Sequence, residues 1–433
     1  MQSRIILNFF SVTLAMFLGG VLPGGQGQAQ DRSWKKVPDS SQQNWREPQA
    51  YVTALPASPA VINAAIRQAL SARSTADAQG SALLPLWFYN VLSPRDNNGY
   101  FGIMIGNDPF HGGGSAAVST NIVPVIIVTN TIGVSYNSTT GVITTAPGVT
   151  VFDPTAADNA CMTPPNNVPV TVFRQSPIFE NMAFNWGGTD LGNTQYLDAF
   201  QRGSFWNALQ DRDGYHVLLN PVTSLAPIVV NVPAAYGTTR PFSSTLRSPC
   251  GPLGIVDINW LDTYLTTAVL PELASQGVNS GSFPVFQLYN VVEASPVTNL
   301  RSCCILGYHS AIGPPIQTYA VSDFDTSNFF PAGLQDTGIL SYEIGEWMND
   351  PFVFNLTPLW GHTGQVGGCQ GNLEVGDPLT GNLAPSVVMP NGYTYHLQEM
   401  AFYSWFLGGP SAGVNGWYSN NASFLKDAGP TCH

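Results

Sequence analysis

From Leu83 onward the chain is written in short β-branched and aromatic runs separated by Gly, Pro, Asn and Asp. That punctuation constrains the fold most, because such runs extend as strands and such breaks turn the chain. Runs at 86–91, 123–129, 168–173, 228–232, 285–292, 304–308 and 318–321 read as strands, and 137–150 reads as a hairpin region. Only three stretches carry helical periodicity: 60–72, 257–275 (with Pro271 as an expected bend or break) and 337–349, stopped by Pro351. Strands interspersed with a few helices predict an α+β fold.

Composition narrows the function. Lys and Arg number 15 against 27 Asp and Glu, a net charge of −12. No basic field is present to displace phosphate counterions, so nucleic acid is excluded as a partner. With 44% hydrophobic residues the chain can build a large core, and 43 Gly with 34 Pro argue against a long helical rod.

The first segment reads as an address. Residues 1–4 are basic, 5–22 are mostly apolar, and Gly27-Gln28-Ala29 fits signal peptidase cleavage. The expected organisation is a signal peptide at 1–29, a polar arm at 30–80, a β-rich region at 81–250 and a motif region at 251–433. Export to an extracellular or periplasmic site follows, with no stable membrane span after cleavage. Six cysteines in an exported chain imply disulfides. Fifteen pairings of six are open, and the adjacent Cys303 and Cys304 are each expected to bond elsewhere.

The chemistry concentrates at 337–351. On a helical wheel Leu340, Ile344, Trp347 and Met348 share one arc, while Tyr342, Glu346 and Asp350 lie opposite at i, i+4 and i+8, with Glu343 between. The expectation is a helix that buries one face and lines something polar with the other; the bland alternative is a solvated charge stripe. Two ligands at i and i+4 with a carboxylate beside them is the pattern of His-Glu-x-x-His zinc helices.

The segment from Tyr342 to Phe352 resembles a zincin-like group of secreted bacterial proteins that carry His-Glu-Ile-x-Glu-Trp-x-x-Asp-Pro-Phe. It is more remotely similar to the exordium or phosphate-induced proteins of plants, with a related His-Glu-x-x-Glu. The resemblance extends to 195–202, 304–310, 368–379 and 395–399, and so covers most of the mature chain. It implies a zincin-like core, a mixed sheet with a motif helix, preceded by a β-rich half. It implies a metallopeptidase-like hydrolase acting on a peptide or protein, with zinc on the motif helix. By position, Glu343 is the implied catalytic base, Glu346 a metal ligand, and Glu374 or Asp377 the completing ligand. Tyr342 stands where the group has its first His, and a phenol must lose a proton of pKa about 10 to bind metal well. This departure points to a catalytically degenerate member.

Replacement ligands are His362, in a Gly-rich loop, and His309, beyond a strand. The rival reading is a non-catalytic extracellular binding or structural protein, in which Glu346, Asp350, Glu374 and Asp377 form an all-oxygen site suited to calcium. A serine hydrolase is disfavoured. His111-Gly-Gly-Gly114 and the Gly-x-Ser-x-Gly around Ser411 lie 300 residues apart in the wrong order for a nucleophile elbow.

Overall fold

The computed structural model describes residues 56–72, 83–111, 114–136, 143–164, 167–240, 249–297, 303–425 and 432. The signal segment and most of the polar arm lie outside them; within the arm, Pro59–Ala72 is a helix.

The core is built on one seven-stranded mixed sheet. Ser282–Tyr289 runs down its centre, buried at every position, which suits a strand covered on both faces. It pairs in parallel with Gln317–Phe324 on one side and with the 21-residue strand Ala116–Tyr136 on the other. The long strand takes Val217–Ser224 and then Ile228–Asn231 in parallel along its far edge. Its C-terminal half pairs antiparallel with Ile143–Phe152, the expected hairpin. Gly307–Ile312 closes the opposite edge of the sheet, antiparallel to Gln317–Phe324. Strands from both the 81–250 and the 251–433 stretches therefore share this sheet.

Period-two alternation assigns the two faces. Phe286, Leu288, Tyr319 and Val321 pack with Ile258, Leu261 and Leu265 of the helical stretch 258–273. Phe283, Val285, Ala320 and Phe324 pack with Leu340, Ile344 and Trp347 of the motif helix, Gly338–Asn349. The result is helix, sheet, helix: an α+β architecture. Among the described residues no helix is long and apolar enough to cross a membrane.

The run at 257–275 is interrupted ahead of Pro271, as read from the sequence: a π-helical turn at Leu265–Val269 separates Ile258–Tyr264 from Leu270–Leu273, whose first turn holds the proline. Three expectations are corrected. Residues 168–173, read as a strand, form the helix Pro169–Arg174; Pro at its first turn presets the helical φ and outweighs the β-branched composition. Cys303 and Cys304 bond to each other, since the remaining four pair as Cys161–Cys250 and Cys369–Cys432. Finally, the motif helix has no solvated stripe: all twelve residues are buried.

Two of the segments carrying the resemblance act as structural ties. The Gln195 amide donates to Phe179 O and Leu219 O at 2.9 and 3.0 Å and accepts Leu219 N–H at 2.8 Å. Asp198 accepts Val217 N–H and Thr194 Oγ1, both at 2.6 Å, and Arg202 reaches Tyr215 O at 2.8 Å. Segment 195–202 thus supplies the outer edge of 215–219 with side-chain partners. In the other tie, Glu399 collects four donors from Ser419, Asn421 and Ser423.

Two histidines contribute pH dependence. His216 lies 2.8 Å from Asp198 and His396 2.5 Å from Asp336, and these hydrogen bonds hold both imidazoles above their ordinary pKa. A raised folded pKa adds stability that is complete below about pH 6.5 and disappears as pH rises through the folded value. Thermal midpoints measured from pH 6 to 8 should therefore show a falling component that His216→Gln and His396→Gln each reduce.

Candidate metal centre

The motif helix carries its acids to a buried junction between the edge strand Gly307–Ile312 and the loop 373–379. Pro351 ends the helix, and Asp350 serves the turn beyond it: its carboxylate accepts the Phe354 and Asn355 N–H groups at 2.9 and 3.0 Å. Asn355 then ties the helix end to the strand Gly99–Ile105, bonding Ile103 N–H at 2.9 Å and Ile103 O at 2.7 Å. Asp350 thus contributes to the site through its backbone, while its side chain secures the loop.

His309 lies on the edge strand, facing the helix. Its Nε2 is 3.1 Å from Asp350 O and its Nδ1 is 3.0 Å from Glu343 Oε2. A carbonyl only accepts, so Nε2 carries the hydrogen. Burial pushes the His309 pKa down to about 4, which favours the neutral ring with the Nδ1 lone pair towards Glu343. Two lone pairs cannot face each other at that distance. A proton shared between Glu343 and Nδ1, or a cation held by both groups, satisfies that contact.

Glu346 completes the junction. One ligand atom from each of His309, Glu343 and Glu346 lies within 4.8 Å of the other two. His309 and Glu343 are 0% exposed and Glu346 1%. Glu374 approaches from the loop at 3% exposure; Asn372 Nδ2 donates to its Oε1 at 3.0 Å, and Gly376 N–H donates to Glu346 Oε1 at 3.2 Å. Glu343 Oε1 has no hydrogen-bond partner, and the Glu346 and Glu374 carboxyls share a hydrogen bond.

Electrostatics point the same way. Burial first, and then the charges of neighbouring acids, push the carboxyls of Glu343, Glu346 and Glu374 well above their usual range. Among the described residues, no Lys or Arg offsets that repulsion. Three buried carboxyls without a basic partner, beside a neutral imidazole whose far nitrogen is fixed by a carbonyl, form a donor set that a divalent cation would satisfy.

Tyr342 takes a different role. Its hydroxyl donates to Asp377 Oδ1 and receives Gln365 Nε2 at 3.1 Å, while Gln370 Nε2 holds Asp377 Oδ2 at 2.5 Å. Burial, and then the charge of Asp377, hold the phenol well above its ordinary pKa, so it remains a donor. Gly376 makes this closure feasible, since a Cβ there would fall 2.3 Å from the Tyr342 ring. Tyr342 and Asp377 thus form a hydrogen-bonded pair beside the junction. His362 is exposed on the hairpin formed by Leu356–Thr363 and Val366–Asn372, grouped with Cys369 and Cys432 instead.

Sequence reasoning named both histidines as replacement ligands; strand phase separates them. His309 shares a face with Gly307 two residues earlier, and the motif helix packs on that face. A Cβ at Gly307 would lie 2.7 Å from Ile339 Cγ2, 2.9 Å from Val321 O and 3.2 Å from Glu343 Cγ. Gly307→Ala should therefore push the helix off the strand and cost about 1–3 kcal/mol, checked by urea unfolding.

In comparisons with protein-family models, with curated proteins and with solved structures, nothing matches this chain.

Proposed function

We propose that this is an exported, zincin-like, metallopeptidase-related protein whose motif helix holds a zinc ion for structure rather than for hydrolysis. His309, Glu343 and Glu346 would hold the ion, with Glu374 as the nearest further carboxylate. The observation that carries this reading is the convergence of those three donors, with the His309 tautomer fixed by Asp350 O. An imidazole nitrogen among the donors favours zinc over the oxygen-only shell typical of calcium.

When bound, such an ion would supply positive charge to a buried acidic junction. His309 and Glu343 would exchange a shared proton for it. Asn372 and the Gly376 N–H would orient the carboxylates, and Tyr342 would keep Asp377 occupied outside the ligand set.

Peptide hydrolysis fits this geometry poorly. Glu343, the base implied by the resemblance, is 0% exposed, and its Oε2 faces His309 rather than a cleft. Zinc titration of the chelator-stripped protein by calorimetry, paired with a peptide-library cleavage assay, tests the reading. One zinc per chain, weakened at least about tenfold in Glu346→Gln and accompanied by no cleavage, is expected. Absence of zinc uptake would sink the metal reading, and zinc-dependent cleavage would restore the peptidase.

A further inference from the structure

We propose that His362, Cys369 and Cys432 form a second, redox-gated zinc site, closed while the disulfide is intact and opened by its reduction. Ligand atoms of these three residues lie within 4.8 Å of one another. The hairpin makes this grouping. Gly361 pairs with Cys369 across the strands, which brings His362 alongside, and the register shifts there with His362 at φ +56°. Cys432 is fixed from the other side by its N–H on Leu359 O at 3.3 Å. His362 is exposed, Cys369 half-buried and Cys432 buried, so a reductant and an ion both have access from the His362 side.

In the oxidised form the two sulfurs share a bond and neither is a thiolate, so only the imidazole can ligate. A dithiol reductant supplies two electrons and two protons: the Cys369–Cys432 bond breaks, two thiols form, and the reductant closes its own disulfide. Zn²⁺ then displaces both thiol protons, leaving a Cys₂His set with water in the fourth position. Tetrahedral coordination at Zn–S of about 2.3 Å needs the sulfurs roughly 3.8 Å apart, an opening of under about 2 Å from any disulfide of ordinary length.

The site reports on the buried junction. Cys369 lies on the same strand as Gln370 and Asn372, whose amides hold Asp377 and Glu374. Exchanging disulfide for zinc keeps that strand tied to Cys432, whereas reduction without metal releases the tie.

Cobalt(II) titration tests this on protein whose buried centre is loaded with zinc in the oxidised state and then freed of unbound zinc, with and without a phosphine reductant, which brings no thiols of its own. Only sulfur ligands give the intense thiolate-to-cobalt charge-transfer absorption, so the nitrogen and oxygen donors of the buried centre are silent. Reduced wild type should develop that band at one equivalent, and oxidised protein should not. His362→Ala, which keeps both cysteines, should weaken cobalt binding at least about tenfold. Cys369→Ser/Cys432→Ser should abolish the band while circular dichroism shows the fold intact. A reduced wild type without the band overturns the proposal. So does a band undiminished in both variants, which would place the thiolates at the other cysteines. Either result leaves the His309 centre to its own calorimetric test.

Discussion

Stripping metal from the protein with a chelator at neutral pH should lower its unfolding free energy by about 4 kcal/mol, the linkage expected when free zinc stands roughly a thousandfold above its Kd. The direction follows from what the ion would leave behind. Glu343, Glu346 and Glu374 are buried against one another, and without a cation they stay folded only by holding protons. Binding must displace those protons, so zinc affinity should rise with pH and the midpoint difference between loaded and stripped protein should widen from pH 6 to pH 8. His309→Ala should abolish the chelator effect. Calorimetric unfolding with and without chelator reads both; equal midpoints in wild type would mean that protons alone occupy the junction.

Trp347→Ala should cost about 3–5 kcal/mol, the range for deleting a fully buried large aromatic. Trp347 is 0% exposed, and its ring lies parallel on Phe283 with centroids 3.7 Å apart. That stack joins the motif helix to the central strand one residue beyond Glu346, so the loss should reach the site. Zinc affinity should fall along with stability, while Trp347→Phe should keep most of both. Denaturant unfolding and zinc titration on the two variants check this; full stability in Trp347→Ala would mean that the helix is held chiefly by Asn355 and the loop 373–379.

The helix carrying these residues was legible because its apolar arc and Pro351 are local signals, and it appears at Gly338–Asn349 almost as expected. The hairpin 127–152 was legible from its turn residues. The environment of the helix was not. A wheel reports which residues are polar and not whether something covers them, and here the cover is a loop some 30 residues downstream whose closure depends on Gly376 over Tyr342. The choice between His309 and His362 was hidden for a similar reason: it depends on the phase of an edge strand whose neighbours come from distant parts of the chain. His309 alternates onto the helix-facing side with Gly307, and that small residue two positions earlier is the signal that could have found it. The 168–173 stretch misled because its β-branched residues outvoted a proline at the first helical turn. The cysteine pairing was undetermined, since fifteen arrangements satisfy the same six positions.

The most direct measurement is zinc K-edge X-ray absorption on the oxidised, zinc-loaded protein. A buried centre of His309, Glu343 and Glu346 predicts one zinc per chain, with light-atom neighbours near 2.0–2.1 Å, imidazole outer-shell scattering and no sulfur. Sulfur at about 2.3 Å, or no bound zinc, would contradict it.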